Sequence, residues 1–182
     1  MGVKVYGVED PALEKVLISE NELAARVNEL GSQLTYDYKD RAPLLVAVLK
    51  GAYPFMADLA RAVDLPVEVD FMAVASYGSA TKTSGVVRMV KDLDLDISGR
   101  HVIVVEDIVD SGLTLSFLRR NLLARDPASL EICALLVKEG LQKTALDIKY
   151  TGFTIPPRFV VGYGLDVDQR YRNLPMICSY VQ

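Results

Sequence analysis

The strongest constraint on the fold of this chain is the segment Val102 to Leu115, which reads Val-Ile-Val-Val-Glu-Asp-Ile-Val-Asp-Ser-Gly-Leu-Thr-Leu. Its first four residues, Val102 to Val105, are β-branched and predict a buried strand. Acids and a small polar loop follow, and a helical pattern begins near Thr114. Because ligands of open α/β sheets bind beyond the carboxyl ends of the strands, the segment predicts a binding edge.

Strand and helix patterns alternate along the remainder of the chain. The capping box of Ser19 and Glu22 predicts a first helix from about Glu20 to Tyr38, and a later helix is predicted from Thr114 to about Arg125. The alternation predicts an α/β fold with a central parallel sheet flanked by helices, and 182 residues favour a single domain, 1–182. The other predicted strands are Leu44–Leu49, Val67–Ala75, Val86–Val90, Leu130–Val137 and Phe159–Tyr163.

Two parts of the chain lack a regular pattern. Residues Gly78 to Gly85 contain no large apolar side chain and join two predicted strands, so we expect a long hairpin with a mobile tip. The tail after Gly164 is polar, and we expect it to be irregular.

Charge and residue usage exclude some classes of function. A net charge of −4 argues against a nucleic-acid-binding protein, which would normally carry a basic face. No apolar run is long enough to span a bilayer, and no export signal is visible, so we expect no membrane partner. Cys133 and Cys178 are far apart, which fits free thiols in a cytoplasmic protein. The single histidine, His101, begins a strand and favours a structural role.

The loop after the central strand combines two kinds of binding chemistry. Ser111, Gly112 and Thr114 precede or open a helix, whose free N–H groups and dipole favour an anion such as phosphate. Glu106 and Asp107 would repel phosphate, and they suit sugar hydroxyls or a hard cation such as Mg²⁺. A sugar phosphate satisfies both halves of this loop.

This segment resembles the phosphoribosyl pyrophosphate (PRPP) signature of the type I phosphoribosyltransferases. Other stretches resemble the hypoxanthine-guanine branch of that family, in order and spacing from about Ser19 to Pro175. They are Leu49-Lys50-Gly51, Ser76-Tyr77-Gly78, Leu136-Val137-Lys138, the run from Phe159 to Asp166, and the run from Tyr171 to Pro175.

The resemblance carries expectations about fold and activity. It implies an α/β core with a small hood built from the chain termini and a flexible β-hairpin loop. It also implies transfer of the 5-phosphoribosyl group from PRPP to N9 of hypoxanthine or guanine, giving IMP or GMP and pyrophosphate. Mg²⁺ is the implied cofactor, and a homodimer or homotetramer is the implied assembly.

The resemblance also implies distinct roles for the acids of the central segment. Asp110 matches the acid placed against purine N7, where it would act as general base and acid. Glu106 and Asp107 match the pair that holds the ribose hydroxyls, directly or through Mg²⁺. The implied loop for the 5′-phosphate comprises Asp110, Ser111, Gly112, Leu113 and Thr114.

The pyrophosphate and metal sites draw on residues outside that segment. Lys50 and Gly51 match the pyrophosphate loop, in which the peptide before the lysine can be cis, and Arg172 matches a pyrophosphate contact. Asp166 matches a second Mg²⁺ site. The implied metal ligands are therefore Glu106, Asp107 and Asp166.

The purine site is implied by the later part of the chain. Lys138 matches the lysine that donates to O6 of the base, which favours 6-oxopurines over adenine. Phe159 matches the ring that stacks on the purine, and the backbone of Val160 would read the base edge. Ser76 and Tyr77 match a flexible loop that closes over PRPP and excludes water.

The sequence leaves two alternative functions open, and it departs from the family pattern at one place. A xanthine-preferring enzyme would use Lys138 equally well, and the surroundings of purine C2 near Val160 and Asp166 would decide between the bases. A PRPP-sensing regulator without enzyme activity is the other alternative. Relatives often carry arginine soon after the base-binding lysine, whereas this chain has Glu139 to Lys143, so either Lys143 substitutes or the contact is absent.

Overall fold

The computed structural model describes residues 3–77, 86–143 and 145–181, without the side chains of 76, 77 and 86. Strands and helices alternate through most of the described chain. In chain order they are β1 Val3–Val5, β2 Val8–Asp10, β3 Leu13–Ile18, α1 Glu20–Asp37, β4 Leu44–Leu49, α2 Tyr53–Ala62, β5 Glu68–Tyr77, β6 Val86–Lys91, β7 His101–Val109, α3 Leu113–Leu123, β8 Ser129–Lys138, β9 Tyr150–Ile155, β10 Val160–Val161 and β11 Ile177–Tyr180.

A six-stranded sheet in the order β6-β5-β4-β7-β8-β9 forms the centre of the fold. Every neighbouring pair is parallel except β5 and β6, which form an antiparallel hairpin. The prediction of an α/β fold with a parallel central sheet is confirmed. The residues predicted to form the hairpin tip, 78–85, lie outside the described part of the chain.

Helices cover both faces of this sheet, which explains why its inner strands are apolar without alternation. On one face Leu34 of α1 and Phe55 of α2 pack with Leu45 of β4. On the other face Leu118 of α3 packs with Val104 of β7. The carboxyl ends of the strands stay uncovered, so polar loops can gather there.

The central strand is longer than predicted. β7 runs from His101 to Val109, not from Val102 to Val105, so Glu106 and Asp107 lie inside the strand rather than after it. The backbone pairing with β8 continues past the acids, with Glu106 opposite Ala134 and Val109 opposite Val137. A carboxylate does not interrupt a strand whose hydrogen bonds are made by the backbone.

The chain termini form a separate small sheet, the hood, in the order β10-β11-β3. The strand predicted at Phe159–Tyr163 is shorter than expected, since β10 comprises only Val160–Val161, and it pairs with β11 rather than with the central sheet. Gly162, with φ +104, turns the chain away directly afterwards. The sixth strand of the central sheet is instead β9, which the sequence pattern did not indicate. The tail expected to be irregular contributes β11.

Local sequence signals predicted the ends of α1 and α3 to within about two residues. Both halves of the capping box are present, since Glu22 N–H donates to Ser19 Oγ at 3.3 Å and Ser19 N–H donates to Glu22 Oε2 at 2.8 Å. Gly31 lies inside α1 where a Cβ would overlap the backbone of Ala62 in α2, so glycine permits close packing of the two helices. No helix in the described ranges combines the length and apolarity needed to cross a membrane.

The histidine and the cysteines have structural surroundings. His101 Nδ1 lies 2.8 Å from Ser129 Oγ, and the imidazole ring meets the ring of Tyr38 edge-on at 6.1 Å. Cys133 and Cys178 are both free and buried. Burial raises the pKa of the Cys133 thiol to about 12, so this thiol is unreactive near neutral pH.

Candidate active site

Two adjacent carboxyl groups lie at the carboxyl end of β7. Glu106 is buried, and within the described part of the chain its Oε2 atom has no hydrogen-bond partner. Burial, together with the charge of Asp107, raises the pKa of Glu106 well above its usual range. Burial also raises the pKa of Asp107 to about 6, although its Oδ1 accepts a hydrogen bond from Ile108 N–H at 2.7 Å. A bound cation or hydroxyl donor would relieve this acid pair.

A cradle for an anion follows the acid pair. Gly112 adopts a left-handed φ of 76° and turns the chain into α3, which begins at Leu113. Ser111 Oγ accepts a weak hydrogen bond of 3.4 Å from Leu113 N–H, and the first N–H groups of any helix have no acceptor within it. A cavity of about 240 Å³ lies over this turn, and its lining includes Glu106 to Gly112 and Thr114.

Two glycines pack the neighbouring loops against the acid pair. A Cβ on Gly51 would overlap Asp107 Oδ2, and a Cβ on Gly164, where φ is +102, would overlap the carbonyl oxygen of Gly51. The peptide between Leu49 and Lys50 is cis. The loop after β4 is thus enclosed between β7 and the turn that contains Gly164.

A second cavity, of about 280 Å³, joins the acid pair to a group of cations. Arg172 Nη2 lies 2.9 Å from Asp166 Oδ1, and Arg172 Nη1 donates to the carbonyl oxygen of Gly164 at 2.6 Å. Gln169 Oε1 accepts hydrogen bonds of 3.2 Å from both Lys50 Nζ and Arg172 Nη2. The lining of the cavity includes Lys50, Gly51, Glu106, Asp107, Asp166 and Arg172.

On the other side of the anion cradle, Lys138 lies at the end of β8. Its Nζ atom makes an ion pair of 2.9 Å with Asp110 Oδ2. Lys138 is opposite Ile155 in the register of β8 and β9, and the chain continues from Ile155 to Phe159. The Phe159 side chain is partly exposed and packs at 5.8 Å against the ring of Tyr180 in the hood, while Val160 is buried.

Most of the residues singled out in the sequence therefore converge on one edge of the central sheet. The acids of β7, the 110–114 turn, Lys50, Gly51, Asp166 and Arg172 line two adjoining cavities. Ser76 and Tyr77 belong to the end of β5, but their side chains lie outside the described atoms. No group of three or more His, Cys, Asp or Glu side chains in the described ranges forms a ready metal cage.

Three polar contacts at this edge were not anticipated from the sequence. Gln169 lies between Lys50 and Arg172, and Tyr163 donates to Asp58 Oδ2 at 2.5 Å, which anchors the turn next to Gly164. Gln142 contacts the loop that carries Asp110. Lone amides and a tyrosine in irregular segments give no pattern from which such contacts could be predicted.

Comparison with known proteins agrees with this geometry. A family model described as a phosphoribosyl transferase domain matches residues 17–168. The chain is 54% identical to a hypoxanthine-guanine phosphoribosyltransferase of Mycobacterium avium over 171 residues, covering 91% of this chain and 84% of that protein. It is 51% identical to the protein of that name in Bacillus subtilis, covering 91% and 92% of the two chains.

A solved structure extends the similarity to three dimensions. The crystal structure of a hypoxanthine-guanine phosphoribosyltransferase from Bacillus anthracis superposes with a TM-score of 0.89 at 46% identity. The match covers 93% of this chain and 99% of that one.

Proposed function

This chain belongs to the phosphoribosyltransferase family, and we propose that the polar edge of its central sheet carries out purine salvage. The chain is a transferase that moves the 5-phosphoribosyl group from PRPP to N9 of hypoxanthine or guanine and releases pyrophosphate. One observation carries the assignment of the site. A buried acid pair lies between an anion cradle and a pair of cations, which matches the order of charges along PRPP.

The leaving group is the main electrostatic problem of this reaction. Positive charge develops at the anomeric carbon of the ribose in an oxocarbenium-like transition state, and negative charge develops on pyrophosphate. We assign Lys50 and Arg172, with the backbone at Gly51, to that negative charge, because preorganised cations stabilise charge as it forms. Gln169 lies between the two cations as a neutral acceptor and adds no negative charge beside them, whereas Arg172 is also paired with Asp166.

The phosphate and ribose are held on either side of the β7 end. The turn made by Asp110, Ser111, Gly112, Leu113 and Thr114 would bind the 5′-phosphate through the N–H groups at the start of α3. Glu106 and Asp107 would hold the ribose hydroxyls, which can donate hydrogen bonds to the unpaired Glu106 Oε2. These contacts fix the ribose between the leaving group and the base.

The base is proposed to bind near Lys138 and Asp110. Lys138 can donate to O6 of a 6-oxopurine but has no favourable contact with the amino group of adenine. Asp110 would take and return a proton at N7, and its ion pair with Lys138 places both groups at the same end of the site. Phe159 would stack on the purine, and the backbone at Val160 and Asp166 would meet the edge at C2. Ser76 and Tyr77 are proposed to lie on a loop that closes over PRPP.

The donor set fits Mg²⁺. Glu106 Oε2 is a buried carboxylate oxygen without a hydrogen-bond partner among the described residues, and burial raises the pKa of both acids, which favours a cation beside them. We propose Glu106, Asp107 and Asp166 as metal ligands, with substrate oxygens completing the shell. Bound Mg²⁺ would neutralise charge on the PRPP oxygens. Asp166 now accepts from Arg172 and from Gln169 N–H, so its use as a ligand requires these contacts to rearrange.

The cellular location and the oligomeric state are proposed from membership of the same family. Free, buried thiols fit a reducing compartment, and we propose a cytoplasmic enzyme. We also propose a homodimer or homotetramer, which sedimentation equilibrium at working concentration would measure directly.

The assignment is tested by turnover with four bases. Purified protein is mixed with PRPP and Mg²⁺, and initial rates are compared for hypoxanthine, guanine, xanthine and adenine. We expect hypoxanthine and guanine to give IMP and GMP, and adenine to react negligibly. A dominant rate with xanthine would transfer the assignment to the xanthine branch. The absence of turnover with every base would overturn the enzyme assignment.

A further inference from the structure

The turn after Lys138 contacts the anion cradle through the side chain of Gln142, which has no role in the proposed reaction. Gln142 Nε2 lies 2.5 Å from the carbonyl oxygen of Lys138 and 3.4 Å from the carbonyl oxygen of Asp110. Gln142 lies in the segment from Glu139 to Lys143, where the resemblance left open which residue makes the contact after the base-binding lysine.

The backbone of the turn brings Gln142 back over the end of β8. Gly140 has a left-handed φ of +69, which reverses the chain after Glu139. Lys143 N–H then donates to the carbonyl oxygen of Ser111 at 3.0 Å. Lys143 therefore contributes its backbone to the cradle, directly next to the Gln142 contact.

The chemistry of the contact suits an amide. A primary amide carries two N–H hydrogens on one nitrogen, and here that nitrogen faces two carbonyl oxygens, one from each loop. A carboxylate at this position could only accept and would be repelled by both carbonyls. Gln142 is therefore placed to join the two loops, and a glutamate of the same shape is not.

We propose that Gln142 is a positioning residue that fixes the distance between the base-binding end of β8 and the 5′-phosphate loop. The proposal rests on the function assigned above, in which Lys138 holds the purine and residues 110–114 hold the phosphate. Gln142 acts through the backbones of Lys138 and Asp110 and touches no substrate. It complements the side-chain ion pair of 2.9 Å between the same two residues.

The proposal predicts a difference between ligands. IMP carries the base and the 5′-phosphate in one molecule, so its affinity depends on the spacing of the two loops. PRPP lacks the base and is also held at the ribose acids and the pyrophosphate cations, which Gln142 does not contact. Loss of the Gln142 contact should therefore weaken IMP binding more than PRPP binding.

The test compares three substitutions at this position in the full-length enzyme. Gln142→Met keeps the length of the side chain without donors, Gln142→Glu replaces donors with acceptors, and Gln142→Arg restores paired N–H donors. Gln33→Met, on an exposed position of α1, is the matched control. Calorimetric titration gives Kd for IMP and for PRPP with Mg²⁺, and steady-state rates give kcat and KM for hypoxanthine.

We expect Gln142→Met to weaken IMP binding about five- to tenfold, the effect of losing about one hydrogen bond. PRPP affinity should change less than about twofold, Gln142→Glu should bind IMP still more weakly, and Gln142→Arg should recover most of the loss. Unchanged IMP affinity in Gln142→Met would overturn the proposal. So would an equal loss for IMP and PRPP, which indicates general disorder of the cradle. Wild-type enzyme without turnover would instead overturn the assigned function.

Discussion

The acid pair Glu106 and Asp107 has surroundings very different from those of Asp110, although the three residues are close in the chain. Glu106 and Asp107 lie within the strand, between β4 and β8, where burial raises the pKa of both carboxyl groups. Asp110 lies in the loop beyond the strand, its side chain is about half exposed, and it is paired with Lys138. Within the strand, Glu106 is buried and Asp107 is partly buried, whereas the loop acid keeps solvent and a counter-ion.

This difference separates two chemical tasks that residue type alone cannot separate. The buried pair is unstable as two bare negative charges and is suited to hold a cation or hydroxyl groups. The loop acid has a proton donor beside it and is suited to exchange a proton with a bound base. Four changes would break or sharpen this comparison.

The largest expected effect comes from the loop acid. Asp110→Asn removes the proposed proton-transfer group but keeps the shape of the side chain, so kcat should fall by about 10²–10⁴. PRPP affinity and Tm should stay close to wild type, as measured by calorimetric titration and thermal unfolding. The control is Asp126→Asn, at a left-handed turn position that asparagine tolerates. Full activity in Asp110→Asn would remove this residue from the reaction.

Disturbing the enclosure of the buried pair should come next. In Gly51→Ala the new Cβ overlaps Asp107 Oδ2, so either the loop after β4 or the carboxyl group must move. We expect KM for PRPP to rise about tenfold or more, corresponding to at least about 1.4 kcal/mol of lost binding. Gly99→Ala, where a Cβ would have open space but φ is +69°, is the control that reports backbone strain without a side-chain overlap. A Gly51→Ala enzyme with wild-type KM would contradict the tight packing.

The charge of the buried pair should be visible as a dependence of stability on pH. The pKa of Asp107 is about 6 in the folded protein and about 3.9 in an unfolded chain, so the folded state holds this proton more tightly. The stability it contributes is fully present below about pH 4 and is lost as the pH rises through 6.

Removing that charge should therefore stabilise the protein without metal at high pH. With EDTA present at pH 8, Asp107→Asn should have a Tm several degrees above that of wild type, because its free energy of unfolding is greater by up to about 3 kcal/mol. At pH 4 the two proteins should have equal Tm values. Asp147→Asn, at an exposed acid, controls for the loss of one charge. Excess Mg²⁺ should raise the Tm of wild type more than that of Asp107→Asn. A variant that is less stable at pH 8 would refute the expected strain.

The smallest expected effect concerns the neutral acceptor between the pyrophosphate cations. Gln169→Asn shortens the side chain by one methylene, which moves the amide away from Lys50 and Arg172. Asparagine tolerates the left-handed φ of 65° at this position. Because these hydrogen bonds are exposed, we expect KM for PRPP to rise about two- to fivefold with kcat nearly unchanged. Asn28→Ala on α1 serves as the control for a remote amide. A fall in kcat without a change in KM would contradict the proposed position of Gln169.

The sequence predicted the core strands well and drew attention to the acids of β7, because these features have local signals. Uninterrupted apolar runs identified β4, β7 and β8, and the glycine and hydroxyl residues before α3 marked the phosphate turn. The positions of Lys50 and Arg172 in the site followed from family resemblance, since a single charged residue has no local signal of its own.

The remaining features depend on contacts that are distant in the sequence. β9 contains Gly152, where a Cβ would overlap the backbone of Leu135 in the neighbouring strand. The formation of β9 therefore depends on a strand that is distant in the sequence. Local alternation also cannot say which sheet a short strand joins, and Val160–Val161 joined the hood rather than the central sheet. The bridging roles of Gln142 and Gln169 arise only when separate loops meet.

The order of strands in the hood has a consequence for biosynthesis. β3 is synthesised well before its partner β11, because most of the described chain lies between the two strands. Until the ribosome has synthesised Ile177–Tyr180, the backbone groups of β3 that pair with β11 lack these partners. At the usual elongation rates this interval lasts about ten seconds or more, during which a nascent chain exposes a strand edge to chaperones and to other nascent chains.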